Sequence, residues 1–155
     1  MLALELIDSG VGLARRSGEA SEFLIEEPGV ALLEEQRTLT GAAAARSLRL
    51  QPLLAQMNFW RGLSTEPLTR TSRLAQTSAD VAYAHSDAML SQYKGQAERV
   101  LLAVPAGYSR EQLGLLLGVV NETGIPVAGL VDAALAACSL EPAPARVLQI
   151  GRAHV

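Results

Sequence analysis

Apolar and polar positions alternate from the first residues of the chain. Leu2, Leu4 and Leu6 fall on one side and Ala3, Glu5 and Ile7 on the other, which predicts a strand. Asp8-Ser9-Gly10-Val11-Gly12 breaks the alternation with an acid, a hydroxyl and two glycines, and residues 11–16 can return antiparallel after that turn. SEFLIEE (21–27) predicts a third strand, and VALLEE after Pro28-Gly29 a further one, so the first forty residues read as an antiparallel meander. Four consecutive alanines, 42 to 45, favour helix until Pro52, which lacks an amide hydrogen and disfavours helical geometry just before it. Residues 57–71, with Asn58, Phe59, Trp60, Gly62 and Pro67, read as loop or short turns.

The second half has a different rhythm. TSADVAYAHSDAMLSQYKG (77–95) predicts a helix capped by Thr77 or Ser78, with Asp80 at its positive end. Its apolar stripe runs through Val81, Ala84, Ala88 and residues 90–93, and Lys94-Gly95 closes it. RVLLAVP (99–105) is a continuous apolar run stopped by Pro105, the pattern of a strand buried on both faces in a parallel sheet. Ser109 and Gln112 are spaced as a capping box for a helix whose inner stripe is Leu113, Leu116, Leu117 and Val120, with Gly124 just past its end. IPVAGLV (125–131) predicts another buried strand and DAALAACSL (132–140) a short helix. EPAPA (141–145) reads as a stiff linker, and RVLQIG (146–151) begins one more strand. Strands alternating with helices at this spacing imply right-handed crossovers and an α/β fold with a mixed sheet covered by helices.

Composition narrows the function classes. The 155 residues are 49% hydrophobic and 19% charged, the balance of a globular domain with a real core. With 4% aromatic residues, that core is built mainly from Leu, Val and Ala. A net charge of -3 and the lack of a basic run argue against a nucleic-acid partner. No apolar run is long enough to span a membrane and no secretory leader pattern opens the chain. The single cysteine, Cys138, forms neither an internal disulfide nor a metal cluster, which fits a cytoplasmic setting. His85 and His154 lack metal-ligand or triad spacing and are expected as surface or partly buried imidazoles.

Three stretches admit two readings each. Asp8-Ser9-Gly10 is either a polar hairpin turn or a phosphate cradle. Asp132 is either a helix N-cap or a catalytic carboxylate. Phe59-Trp60 either packs a loop on the sheet or forms an exposed partner site.

ERVLLAVPAGYSREQ, followed by a helix and then TGIPVAGLVDAALAA, resembles the middle of the actin-like ATPase superfamily, and within it the ATPase domain of DnaK-type heat-shock chaperones. Val104-Pro105-Ala106 matches that family outright, and Ser109, Gln112 and the Gly124 turn fall where it has similar residues. EPGVALLEEQRTLTGAAAARSLRLQP resembles the family's hairpin and first helix, and LIDSG resembles its opening phosphate turn. The resemblance covers roughly residues 2–150. It implies a ribonuclease H-like mixed sheet, with residues 1–140 forming the first lobe and 141–155 a linker and the first strand of a second lobe. It also implies ATP and Mg, with Asp8 near the metal, Ser9, Gly10 and Gly12 around the phosphates, Gln149 and Gly151 at the second phosphate turn, and Asp132 at the catalytic position.

The same alignment exposes departures. Val11, Gly12 and Leu13 stand where hydroxyl-bearing residues are expected after the first turn. In the ungapped register Asp132 falls on the family's asparagine and Ala133 on its water-orienting glutamate, and a one-residue slip puts Asp132 there instead; Gln149 replaces an aspartate, and Arg61 is the only cation in MNFWRG, where the family carries a phosphate-facing lysine nearby. A neutral amide does not hold a divalent cation as a carboxylate does. The expectation is the first lobe of a nucleotide-binding protein that is an ATPase only within a longer chain. The alternative is a non-catalytic relative that serves as a protein-interaction or assembly module, with a protein partner or self-association. A flavodoxin-like domain would explain the βα units but not the N-terminal meander.

Overall fold

The computed structural model describes residues 1–7, 9–95 and 99–138. Asp8, Gln149, Gly151, His154, the 141–145 linker and the 146–151 strand lie outside the described residues.

Three strands open the chain: β1 (Leu2–Ile7), β2 (Gly10–Ser17) and β3 (Ala20–Glu27). They pair antiparallel in sequence order, with Leu4 opposite Leu13 and Leu13 opposite Ile25. The expected meander ends there. Pro28-Gly29 takes the next strand, β4 (Val30–Leu33), out of the sheet and into a second, three-stranded one. In that sheet β4 lies between β5 (Thr38–Thr40) and β6 (Ala55–Met57), antiparallel to both.

All four residues of β4 are buried because it is a wall shared by two cores. Ala31 and Leu33 join the main core, whereas Val30 and Leu32 pack with Ala44 in a smaller one. The alanine run forms α1 (Gly41–Ser47), which with Leu48 and Leu54 covers that smaller core. Gly41 starts this helix at φ 60, and the Glu27 carboxylate accepts the Ala42 amide there.

The second half returns to the main sheet. α2 (Ser78–Leu90) has a capping box between Thr77 and Asp80. β7 (Val100–Val104) then pairs parallel to β1, and β8 (Val127–Asp132) parallel to β7. Between them runs α3 (Arg110–Glu122), closed by the expected Ser109–Gln112 box and by Gly124 at φ 82. α4 (Ala133–Cys138) follows β8 directly. The five-stranded sheet therefore has the order β3-β2-β1-β7-β8 and mixed direction, an α/β arrangement.

One core unites Leu2, Leu4 and Leu6 with Leu102 of β7, Val81 and Leu90 of α2, and Leu116 and Val120 of α3. Two details differ from the pattern expected. The inner face of α2 runs through Ser78, Val81, Ala82, His85, Ser86, Met89 and Leu90, while Ala88 faces out, because three polar side chains are enclosed. β8 is only half-buried, with Leu130 37% exposed, because among the described residues it is the last strand of its sheet.

Candidate functional site

Parallel strands β1, β7 and β8 end on the same edge of the sheet. From β1 the chain departs to β2 on one side, and from β7 it departs to β8 on the other. Loops leaving such a divergence splay apart, so ligands of open α/β sheets bind there. A cavity of about 560 Å³ lies at this place, within the size range of small-molecule sites.

Four segments line it. Leu6, Ile7 and Ser9 come from the end of β1, and Gly29 precedes β4. Met57, Asn58, Trp60 and Arg61 follow β6, and Pro105, Gly107 and Tyr108 follow β7. The Ser9 hydroxyl is buried and has no hydrogen-bond partner among the described residues. A hydroxyl in that state carries a desolvation penalty of about 1–3 kcal/mol that a ligand acceptor or donor would remove. Arg61 gives this wall its positive charge.

The segment carrying Arg61 is held from several directions. Asn58 adopts a left-handed conformation, φ 59, and its carbonyl accepts the Gly62 amide at 2.8 Å. Asparagine tolerates that region better than other side chains. The Tyr108 hydroxyl donates to the Trp60 carbonyl at 2.6 Å. Gln112, besides capping α3, donates through Nε2 to the Arg61 carbonyl at 3.1 Å. Below them the Trp60 indole donates to Nδ1 of His85 at 3.2 Å, and Phe59 meets the same imidazole edge-on.

Phe59 and Trp60 are thus 2% and 1% exposed, so the packing reading holds and an exposed aromatic partner site is excluded. His85 corrects the surface expectation. It is 1% exposed, and burial pushes its pKa down to about 4, so it stands as a neutral ring accepting an indole N–H.

The remaining sequence candidates are distributed as follows. Ser9 lines the cavity. Gly10 and Gly12 begin β2 instead: a Cβ at Gly10 would meet the Glu26 side chain, and one at Gly12 would come within 3.4 Å of the Phe23 ring. Neither glycine is among the cavity-lining residues. Asp132 ends β8 and lines a neighbouring recess of about 250 Å³, which shares Pro105 and Tyr108 with the first cavity. One Asp132 oxygen accepts the Leu135 amide at 2.9 Å, so the carboxylate caps α4. Ala133, beside it, is buried.

No group of three or more His, Cys, Asp or Glu side chains among the described residues could hold a metal ion. The donor set near the cavity is a hydroxyl, an amide and an arginine, which suits an anion rather than a divalent cation. Tyr108 and Gln112 did not stand out in the sequence as site residues. Their signal was positional, since both follow the polar turn at the carboxyl end of a buried parallel strand. No helix among the described residues is long and apolar enough to cross a membrane. No protein-family model matches this chain, and no curated protein matches it either.

Proposed function

We propose that this chain forms the first lobe of an actin-like, DnaK-type nucleotide-binding protein and supplies one wall of the nucleotide site without hydrolysing ATP by itself. The observation that carries the reading is the cavity at the β1/β7 divergence, with the Arg61 wall and the buried Ser9 hydroxyl, which has no partner among the described residues. The ribonuclease H-like reading requires an antiparallel meander, then two parallel strands added on the far side of the first, and the order β3-β2-β1-β7-β8 meets that requirement. In this reading Ser9 and Arg61 receive phosphate oxygens, and the Asp132 recess, reached past Pro105 and Tyr108, belongs to the same groove.

The chemistry stops short of hydrolysis for stated reasons. Asp132 is engaged as a helix cap and Ala133 has no group to orient water. The described residues do not assemble a magnesium site, so no step is routed through a metal. A single wall also leaves a developing phosphate charge open to water, without the preorganised donors that stabilise it. These same features favour a second reading, in which the fold serves as a protein-interaction or assembly module.

Calorimetry with ATP and ADP, with and without Mg²⁺, separates the two. Nucleotide binding should be detectable and should weaken about tenfold or more in Arg61→Ala, the loss of one charge-assisted contact. No phosphate release above background should accompany it. Absence of binding at millimolar ATP refutes the nucleotide reading and leaves the module.

A further inference from the structure

The Gln112 side chain serves two parts of the molecule at once. Its Oε1 accepts the Ser109 amide at 3.1 Å, which completes the capping box of α3. Its Nε2 donates to the Arg61 carbonyl at 3.1 Å and to the Leu63 carbonyl at 3.4 Å. Chemistry fixes the orientation of the amide, because a backbone N–H only donates and a carbonyl only accepts. A capping box needs an acceptor at this position, and glutamate supplies one as well as glutamine does. The N–H donors are what glutamine adds, and they are directed at the loop that carries Arg61.

Gln112 is not among the residues lining either cavity, and it lies 51 positions along the chain from Arg61. What it holds is backbone. That loop has neither strand nor helix between Asn58 and Leu63, and its internal bonds are local ones, from the Gly62 amide to the Asn58 carbonyl and from the Leu63 amide to the Trp60 carbonyl. A guanidinium on a swinging loop binds weakly, because each contact with a ligand must first order the backbone beneath it.

We propose that Gln112 is a positioning residue for the anion site: its Nε2 donors fix the backbone beneath Arg61, so that the guanidinium meets a phosphate on a loop already in place. The proposal rests on the nucleotide reading for the identity of the ligand and on the two hydrogen bonds for the rest.

Calorimetry with ATP and amide hydrogen exchange on the whole chain test it. Gln112→Glu keeps the capping box and removes the donors. Gln112→Met removes the donors without adding a charge. Ser109→Ala weakens the box and leaves the donors in place. Both Gln112 variants should weaken ATP binding about fivefold or more, and Ser109→Ala less than about twofold. In an Arg61→Ala background Gln112→Met should add less than about twofold, because its effect passes through the guanidinium. Without ATP, the hydrogen-bonded amides of Gly62, Leu63 and Ser64 should exchange about tenfold faster in both Gln112 variants and at the wild-type rate in Ser109→Ala. A Gln112→Met protein that binds ATP as the wild type does overturns the proposal. So does an equal loss in Ser109→Ala, which would make helix stability the cause, or an undiminished loss in the Arg61→Ala background. A wild type that binds no ATP refutes the nucleotide reading instead, and exchange then decides: unchanged rates at those three amides in Gln112→Met overturn the clamp, and faster rates uphold it.

Discussion

Protonating His85 removes two features of the native state at once. Nδ1 can no longer accept the Trp60 indole N–H, and a charge appears at a ring that is 1% exposed. Because Nδ1 is the acceptor, the neutral ring carries its hydrogen on Nε2, which is itself buried without a partner among the described residues. Burial lowers the pKa from 6.5 to about 4 in the folded state. The unfolded chain therefore takes up this proton at a higher pH than the folded chain does. The stabilisation is complete above pH 6.5 and is lost progressively as pH falls to about 4. At about 1.4 kcal/mol per tenfold change, the loss reaches about 3 kcal/mol, a large share of the 5–15 kcal/mol that holds a typical domain. The assay is urea denaturation across that window, followed by fluorescence of Trp60, the single tryptophan. Carboxylates also titrate toward its acid end, so the comparison is with His85→Gln, whose amide oxygen can accept the indole N–H without titrating. The wild type should lose stability faster than the variant between pH 6.5 and 4.5, and the two slopes should converge at lower pH. Parallel slopes throughout that range would refute the reasoning, since they would mean His85 is as easily protonated folded as unfolded.

Two further substitutions test local physics. Ser9→Ala removes a buried hydroxyl that has no partner among the described residues, so the unliganded protein should gain about 1 kcal/mol in a urea melt while binding ATP more weakly. Gly41→Ala should destabilise by about 2 kcal/mol or more, since φ is 60 and the new Cβ would collide with the Glu27 carboxylate that receives the Ala42 amide. Gly18→Ala, at φ 62 but with open space around it, should cost only about 1 kcal/mol, and equal losses at the two sites would sink the steric argument.

Much of the fold was legible because local signals agreed with tertiary needs. The alternation in β1, the two capping boxes, the apolar run of β7 and the glycine after α3 each have one dominant cause, and each element formed where its pattern placed it. The second sheet was not legible. VALL reads equally as a fourth meander strand, and only the pairing of Val30 with Met57 and Ala31 with Thr40 assigns it elsewhere. Periodicity also failed in α2, because a helical stripe is read from apolar letters and the enclosed face includes His85 and Ser86. Of the site, Ser9 was visible as a hydroxyl at a strand end, and Arg61 as the one basic residue of the MNFWRG segment. The brace behind them was hidden because Trp60 and His85 are 25 residues apart, and Tyr108 reaches Trp60 across 48.

That brace explains how an irregular segment can present a charge at a fixed place. Between Asn58 and Leu63 there is no strand or helix, and a loop of that kind gains little from its own hydrogen bonds. Here the outside partners of its backbone include Tyr108 at the Trp60 carbonyl, Gln112 at the Arg61 and Leu63 carbonyls, and the Ser78 hydroxyl at the Gly62 carbonyl. The Trp60 ring is anchored separately by His85. The helices that build the core thus also position the loop, α2 through its buried imidazole and α3 through its capping glutamine. Gln112 reaches the Arg61 carbonyl and not its side chain, so that bond survives a change of side chain at position 61. His85→Leu removes the acceptor of the Trp60 indole N–H and should lower stability in a urea melt by about 1 kcal/mol or more. An unchanged midpoint in that variant would mean that the imidazole does not hold the loop.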